Sequence, residues 1–498
     1  MVMKDIDKNQ SKLEIRTHDF NVPKNHISRF VVEFIEKCYP KLDIEVNTKK
    51  NCRPSYNLCS MLKLIVYAKL DHIESARIIA DVAEYHDIYK FVCDGIKPSE
   101  RTIQRYRDKY GEYYEQLLKM TLETAKKEEF TEFNHVAIDG TVKKAFNSNQ
   151  NMITKKECKL LIKYYKGLSV KPKKLKKLKK PARKILDDKQ MSDNEKLELL
   201  YDIDTQFTLT GQDKIPMNDI EARMMKGKKG NFLVAYNVQS AVDYDTKLIC
   251  GINVTQSPTD HYELPEIADK AIKNIGKTPK HMSADTIYLN QISLSYFANN
   301  NIDGLIPTRK QSKEKIGKLN PKPLHKDHFI YVEEIDAFYC PGGQFMYFFK
   351  EYTKPNEDPN KPDKITRIYN NYSACKCCVH KEKCFTGKQT HRTITENGER
   401  MQRAMYHKME KEEYKDEFKK RPCVEGPFGI FKEQFHIEQE IVIGVVKTEE
   451  RLNLDALAYN IKRLYNLKQE KNNNKEDIID FCESMATKNQ LELNVTIT

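Results

Sequence analysis

Residues 133–146 read FNHVAIDGTVKKAF, and their period decides the fold. Val136 and Ile138 alternate into Asp139, and Gly140 follows. Such alternation predicts a half-buried strand. It carries a carboxylate at its inner edge, with a backbone-permissive residue behind it. Outward from there, NFLVAYNVQSAVD (231–243) alternates Phe232, Val234, Tyr236 and Val238. A turn at Asp243–Thr246 leads into KLICGINVTQS (247–257), and the two strands make a hairpin. Asp260 with Glu263 three places on reads as a capping box that opens a helix to Asn274. KHMSADTIYL (280–289) is a strand ending in Asp285, followed by a helix over 290–299 and a short strand in DGLIPTR (303–309). Strand, long insertion, hairpin, helix, strand, helix, strand predicts an α/β mixed sheet flanked by helices.

Upstream, residues 1–125 read as helical. Pro23 opens HISRFVVEFIEKCY, with Ile27, Phe30, Val31, Phe34 and Ile35 on one stripe. MLKLIVYAKL and SARIIADVAEYHDIYKF are apolar at helical spacing, and Gly95 and Pro98 end that run. Ser99 is an N-cap for ERTIQRYRDKY. That helix carries Arg101, Gln104, Arg105 and Arg107. A short Arg-bearing helix after a tight turn is what a helix-turn-helix reader presents to DNA; a solvated helix face is the plainer alternative.

Net charge is +13 at pH 7, which calls for an anionic partner, most often nucleic acid. No run approaches the roughly 18 apolar residues of a membrane span. The N-terminus lacks the apolar core of a secretory signal. The expectation is a cytoplasmic, DNA-associated protein with no membrane partner. Thirteen cysteines in 498 residues are too few for a disulfide scaffold.

Two segments interrupt the pattern. In 147–230, KPKKLKKLKKPARKILDDK is a dense basic run. Like charges at that density seldom build a core, so the segment reads as an insertion whose lysines meet phosphates, or as a solvated linker. In 313–400, polar and lysine-rich, Cys340, Cys375, Cys378 and Cys384 include one C-x2-C pair. Four thiolates fit a tetrahedral structural Zn²⁺ site, with Cys377 and His380 as rival ligands and free thiols as the alternative. Helices resume at 403, and residues 469–498 read as a mobile tail.

Asp139 and Asp285 end two strands of one sheet, where carboxylates can converge on Mg²⁺. FKKRPCVEGPFGIFK (418–432) adds Arg421 and Glu425 at i,i+4 and Lys432 seven beyond, sharing one face of a helix with apolar flanks. Burying Glu beside Arg and Lys needs a reason, and metal or phosphate supplies one.

These segments in this order resemble a DDE transposase of bacterial insertion sequences. Arg421, Glu425 and Lys432 match a Tyr-x2-Arg-x3-Glu-x6-Lys signature, with Phe418 in the Tyr place. AIDGT and SADTIYLN resemble the segments of the first and second Asp. DIEARMM and YNVQSAVD resemble the entry to the second strand. VPKNHISRF through PSERTIQRYRDKY resembles the helical domain before the core. The resemblance spans roughly residues 20–465. It implies an RNase-H-like core with a five-stranded mixed sheet (130–310 and 403–468), preceded by an all-α DNA-binding domain (1–125). It implies two Mg²⁺ or Mn²⁺ ions on Asp139, Asp285 and Glu425, with Asp139 bridging them, and Arg421 and Lys432 on DNA phosphate. It implies cleavage at element ends, strand transfer, and a homodimer on double-stranded DNA. With no Trp in the chain, Tyr288 is the aromatic that would hold a flipped base. A non-catalytic DNA-binding descendant and a metal nuclease without joining activity are the alternative readings.

Overall fold

The computed structural model describes residues 17–44, 55–227, 230–308, 311, 324–355, 363–385, 389–397, 400–427, 429 and 442–495. Of these, residues before Thr131 and after Glu449 form one compact unit, and those between form a second.

The first unit contains α1 (Ile27–Cys38), α2 (Leu58–Leu70), α3 (Ala76–Tyr85), α4 (Asp87–Val92), α5 (Glu100–Lys109) and α6 (Tyr113–Lys127). Side chains expected to stop fraying do so: Asn57, Ser75 and Ser99 accept from the first-turn N–H groups of α2, α3 and α5. α2 is buried from Ser60 to Leu70, so its two lysines need partners. Lys63 Nζ lies 2.7 Å from Glu36 and 2.8 Å from Asp94. Lys69 pairs with Glu74 and, at 2.5 Å, with Asp455. Asp455 belongs to the helix Val445–Val495. From Glu450 onward that helix groups with this unit rather than with the sheet, and it is helical to Val495.

In the second unit β1 (His135–Lys144) is central. β5 (Phe232–Asp243) runs antiparallel on one side, with Asp139 opposite Ser240 and Gly140 opposite Gln239. β7 (His281–Ser283) runs parallel on the other side, and β8 (Asp303–Leu305) runs parallel beyond it. β5 is 12 residues long, enough to pair with both β6 (Ile249–Thr255) and β4 (Arg223–Lys226). The sheet therefore has six strands rather than the expected five. The added strand, β4, comes from DIEARMM, read from sequence only as an approach to the hairpin. α11 (Leu264–Ile275) packs on β6 and β5, and α12 (Gln291–Asn299) on β8. Asp260–Tyr262 is a separate 3-10 turn rather than the first turn of α11.

The basic insertion does build a core, against the sequence expectation. β2 (Met152–Thr154) pairs with β3 (Lys214–Pro216). Around them stand α7 (Lys155–Tyr165), α8 (Pro172–Lys176), α9 (Lys180–Asp187) and α10 (Asp193–Thr210). Ile153, Leu161, Ala182, Leu200, Ile203 and Phe207 are fully buried among them. The Cys-rich segment also folds, as a five-stranded antiparallel sheet of β9 (Ile330–Val332), β10 (Ala337–Tyr339), β11 (Phe345–Lys354), β12 (Lys364–Asn370) and β13 (Thr393–Asn397). Its small core is Phe329, Met346, Tyr369 and Ile394. In both segments a few apolar residues at regular spacing suffice, because the charged side chains between them point outward.

Candidate functional site

β1 brings Asp139 to the middle of the sheet, with a side chain about one-fifth exposed (22%). The 3-10 turn Arg421–Val424 packs on β1 and β5, anchored by the buried Val424. This seats Arg421 over Asp139: its Nη2 donates to Asp139 Oδ1 at 3.0 Å. Arg421 Nη1 lies 3.5 Å from Glu425 Oε1. One guanidinium thus bridges two of the three expected carboxylates. Glu425 itself is exposed at 62%, so the expected buried face is not what holds it; Arg421 is the sheltered member. Lys432 lies outside the described residues.

Asp285 follows β7, at the head of the 3-10 turn Thr286–Tyr288. Its side chain is exposed and makes no capping hydrogen bond. Tyr288, three residues on, is fully buried. Burial drives its phenol far above the usual range, reinforced by the charges of Asp260, Asp139 and Asp285. Tyr288 donates its hydroxyl to Gln239 Oε1 at 2.5 Å, so it is a structural tyrosine and no stacking platform for a base.

Asp260 was read from sequence as a helix cap, and the structure gives it another role. Asn237 and Gln239 of β5 each donate to Asp260 Oδ1 at 2.7 Å. A Cβ at position 140 would stand 2.5 Å from that oxygen. Gly140 therefore lets the Asp260 carboxylate close against β1 beside Asp139. The chain Asp260–Gln239–Tyr288 ties the Asp285 turn to the sheet. The available signal was Asn237 and Gln239, two polar residues at alternate positions in a strand buried from Val234 to Asp243.

A second brace was also missed. His135, at the start of β1, faces Glu417 with Nδ1 at 2.7 Å and Ser283 of β7 with Nε2 at 2.8 Å. It joins both Asp-bearing strands to the helix Glu412–Phe418, which leads directly into Arg421. Burial lowers its pKa, outweighing the opposing charge of Glu417.

Three carboxylates suit a hard divalent cation by chemistry, and Arg421 shows that Asp139 and Glu425 reach one positive centre. Among the described residues, however, no group of three or more His, Cys, Asp or Glu is arranged to hold a metal ion. This applies to the thiols as well, although they gather. A Cβ on Gly342 would stand 3.4 Å from both Cys340 Sγ and His380 Cδ2, and 3.9 Å from Cys378 Sγ. Burial raises the Cys384 thiol, and Cys340, Cys375 and Cys378 add to the effect. Cys377 is exposed.

On α5, Arg101, Gln104 and Arg105 are exposed and line a shallow depression with Asp108 and Lys109. Arg107 is not with them. It is buried, donates to the Glu74 carbonyl at 2.8 Å, and burial lowers its pKa to about 10. The structure thus does not support the expected DNA contact by Arg107: a two-residue step from Arg105, about 200° around the helix, turns it to the inner face.

No helix among the described residues is long and apolar enough to cross a membrane. No curated protein matches the chain. Two family models do. A transposase domain (DUF772) matches residues 16–109, which include α1–α5. A transposase DDE domain matches residues 339–465, which include the four cysteines, Arg421 and Glu425. With one match toward each end of the chain, and the Asp139-bearing segment between them in sequence, the two matches support a DDE transposase of insertion-sequence type.

Proposed function

We propose that this chain binds the ends of its insertion sequence, cuts the DNA strands and joins them to a target. The observation that carries the reading is Arg421 reaching Asp139 and Glu425 at once, across 282 residues of sequence to Asp139. The strand order β6-β5-β1-β7-β8, antiparallel through β1 and parallel after it, supports the RNase-H-like reading of the core.

Asp139, Asp285 and Glu425 are the residues that would hold Mg²⁺ or Mn²⁺. Bound there, a pair of ions would activate the attacking oxygen and neutralise the leaving one. The chain's own part is positioning. Asp139 sits on the rigid central strand, and Asp285 on a turn braced through Tyr288 and Gln239. Arg421 presents a planar fork suited to a phosphate once DNA competes with the carboxylates for it. Arg101, Gln104 and Arg105 form the exposed face that would meet element ends. Cys340, Cys375, Cys378 and Cys384 would take Zn²⁺ to fasten the β9–β13 sheet, and two copies would bring two ends together.

The test is incubation of the full chain with Mg²⁺ and duplex DNA carrying the element's terminal repeats. Nicking and joining are expected, and both vanish in Asp139→Asn. Cutting that survives Asp139→Asn overturns the site. Cutting without joining leaves a nuclease.

A further inference from the structure

The folded basic insertion has a feature the strand chemistry does not use. Its neck is closed by an asparagine clasp. Asn147 Oδ1 accepts from the Asn218 N–H at 3.0 Å, and Asn151 Nδ2 donates to Asn218 Oδ1 at 2.7 Å. The Met217 N–H reaches the Asn151 carbonyl at 3.0 Å. Capping boxes at Thr154/Glu157 and Ser192/Glu195 fix the starts of α7 and α10. The insertion is thus mounted firmly on the far end of β1, the strand that carries Asp139.

On this mount, nine of the fourteen residues from Lys171 to Lys184 are Lys or Arg, and none is acidic. The run KKLKKLKKPARKI places Leu175, Leu178, Ala182 and Ile185 against the insertion core. The lysine pairs between them, Lys173/Lys174 and Lys176/Lys177, are exposed. Among the described residues none of the nine side chains makes an ion pair; Arg183 donates to the Lys176 carbonyl at 2.5 Å. Elsewhere in this unit exposed lysines do find acids, as Lys415 and Lys419 do. Asp187 and Asp188 share a depression with Lys180, Arg183 and Lys184 at the end of α9, but Lys173, Lys174, Lys176 and Lys177 have no acid between them in sequence, and such a run of exposed cations is an electrostatic footprint for a dense polyanion. Phosphates along a duplex, one per about 1.7 Å of axis, match that density. Lysine, a point charge on a flexible stem, suits backbone contact rather than base reading.

We propose that the outer face of α8–α9 holds the phosphate backbone of duplex DNA, independent of base sequence, as a second contact beside the cutting site. The choice of duplex DNA rests on the transposase reading. Binding of the full chain to a labelled duplex of arbitrary sequence is measured over a series of salt concentrations, without metal. Combined Lys173→Gln, Lys174→Gln and Lys177→Gln is expected to make the slope of log affinity against log salt shallower by about 2 to 3. A charge-matched control, Lys273→Gln, Lys280→Gln and Lys350→Gln, is expected to change it far less. Equal effects from both sets mean net charge alone and overturn the proposal, as does no effect from the first set. A loss confined to single-stranded RNA overturns it too. If wild-type protein fails to cut element ends while the slope still responds, the transposase reading fails and the DNA surface stands. If cutting is normal and the slope is unmoved, the surface alone fails.

Discussion

Arg421 Nη2 donates to Asp139 Oδ1 at 3.0 Å, and the same guanidinium faces Glu425. A single cation thus occupies the ground between two carboxylates that would otherwise repel each other. Arg421→Gln removes both that charge and the fork expected to meet phosphate. Strand cleavage is expected to fall about 10²–10³-fold, the usual loss when one positioned donor is removed from a charge-stabilising site. Arg421→Lys, which keeps the charge and loses the fork, is expected to lie between the two. Single-turnover cleavage assays on all three proteins decide it, and equal rates would remove Arg421 from the chemistry.

Gly140 offers a test of the packing beside Asp139. A methyl there would stand 2.5 Å from Asp260 Oδ1 and 2.7 Å from Gln239 Nε2. Neither atom yields freely, since each is hydrogen-bonded in the same network. Gly140→Ala is expected to cost about 1–3 kcal/mol, as overpacking does, and to depress cleavage further than the stability loss explains. Denaturant titration beside a cleavage assay separates the two effects.

Tyr288→Phe probes the same network from the other end. It deletes the hydroxyl that Gln239 Oε1 accepts in a fully buried setting. An acceptor left without its donor costs about 1–3 kcal/mol, so a lower midpoint in urea is expected. An unchanged midpoint would show that water or another donor replaces the phenol.

The central sheet was legible because strands announce themselves by alternation, and FNHVAID and NFLVAYNVQ alternate cleanly. Asp285 follows its strand as expected, whereas β1 runs on past Asp139 to Lys144, so Asp139 stands mid-strand rather than at the strand end its following Gly140 suggested. What stayed hidden depends on tertiary placement. Asp260 looks like a helix cap until Asn237 and Gln239 are seen reaching it. Arg107 looks like its neighbours until the helix is docked and Glu74 claims it. The lysine run masked a core because apolar residues at every third position are diluted by the charge between them. The thiols of Cys340 and Cys378 come to one glycine, Gly342, only after β11 and β12 return the chain to its start.

Arg105 and Arg107 make a matched pair on α5, one exposed and one buried. Arg107→Ala leaves the Glu74 carbonyl without its donor and is expected to cost about 1–3 kcal/mol, with the salt slope of DNA binding unchanged. Arg105→Ala is expected to leave stability within about 0.5 kcal/mol and to make the slope shallower by about 1. Thermal melts and salt-titrated binding read the two independently. The reverse pattern would move the DNA face elsewhere.

His135 gives the brace around the site a pH dependence whose sign follows from its partners. A carboxylate only accepts, so Nδ1 carries the proton toward Glu417, and Nε2 accepts from the Ser283 hydroxyl. A second proton on Nε2 would end that acceptance. Burial holds the folded-state pKa of His135 below its ordinary value near 6.5, with the charges of Lys420 and His281 adding to the effect and that of Glu417 opposing it. Between the folded and unfolded values the unfolded chain binds the extra proton, so stability rises with pH there. The contribution of His135 is fully present above about pH 6.5 and is lost as pH falls through the folded value. Burial also pushes the Glu417 carboxyl up, but hydrogen bonds from His135 and Lys420 outweigh it and hold the carboxyl low. Its own contribution persists until pH falls below the ordinary glutamate range. Wild-type melting temperature is therefore expected to drop on acidification from pH 7 toward 5, and His135→Gln, which cannot take up a proton, is expected to drop less. Equal pH profiles for the two proteins would show that this histidine does not link protonation to the docking of the Arg421 segment.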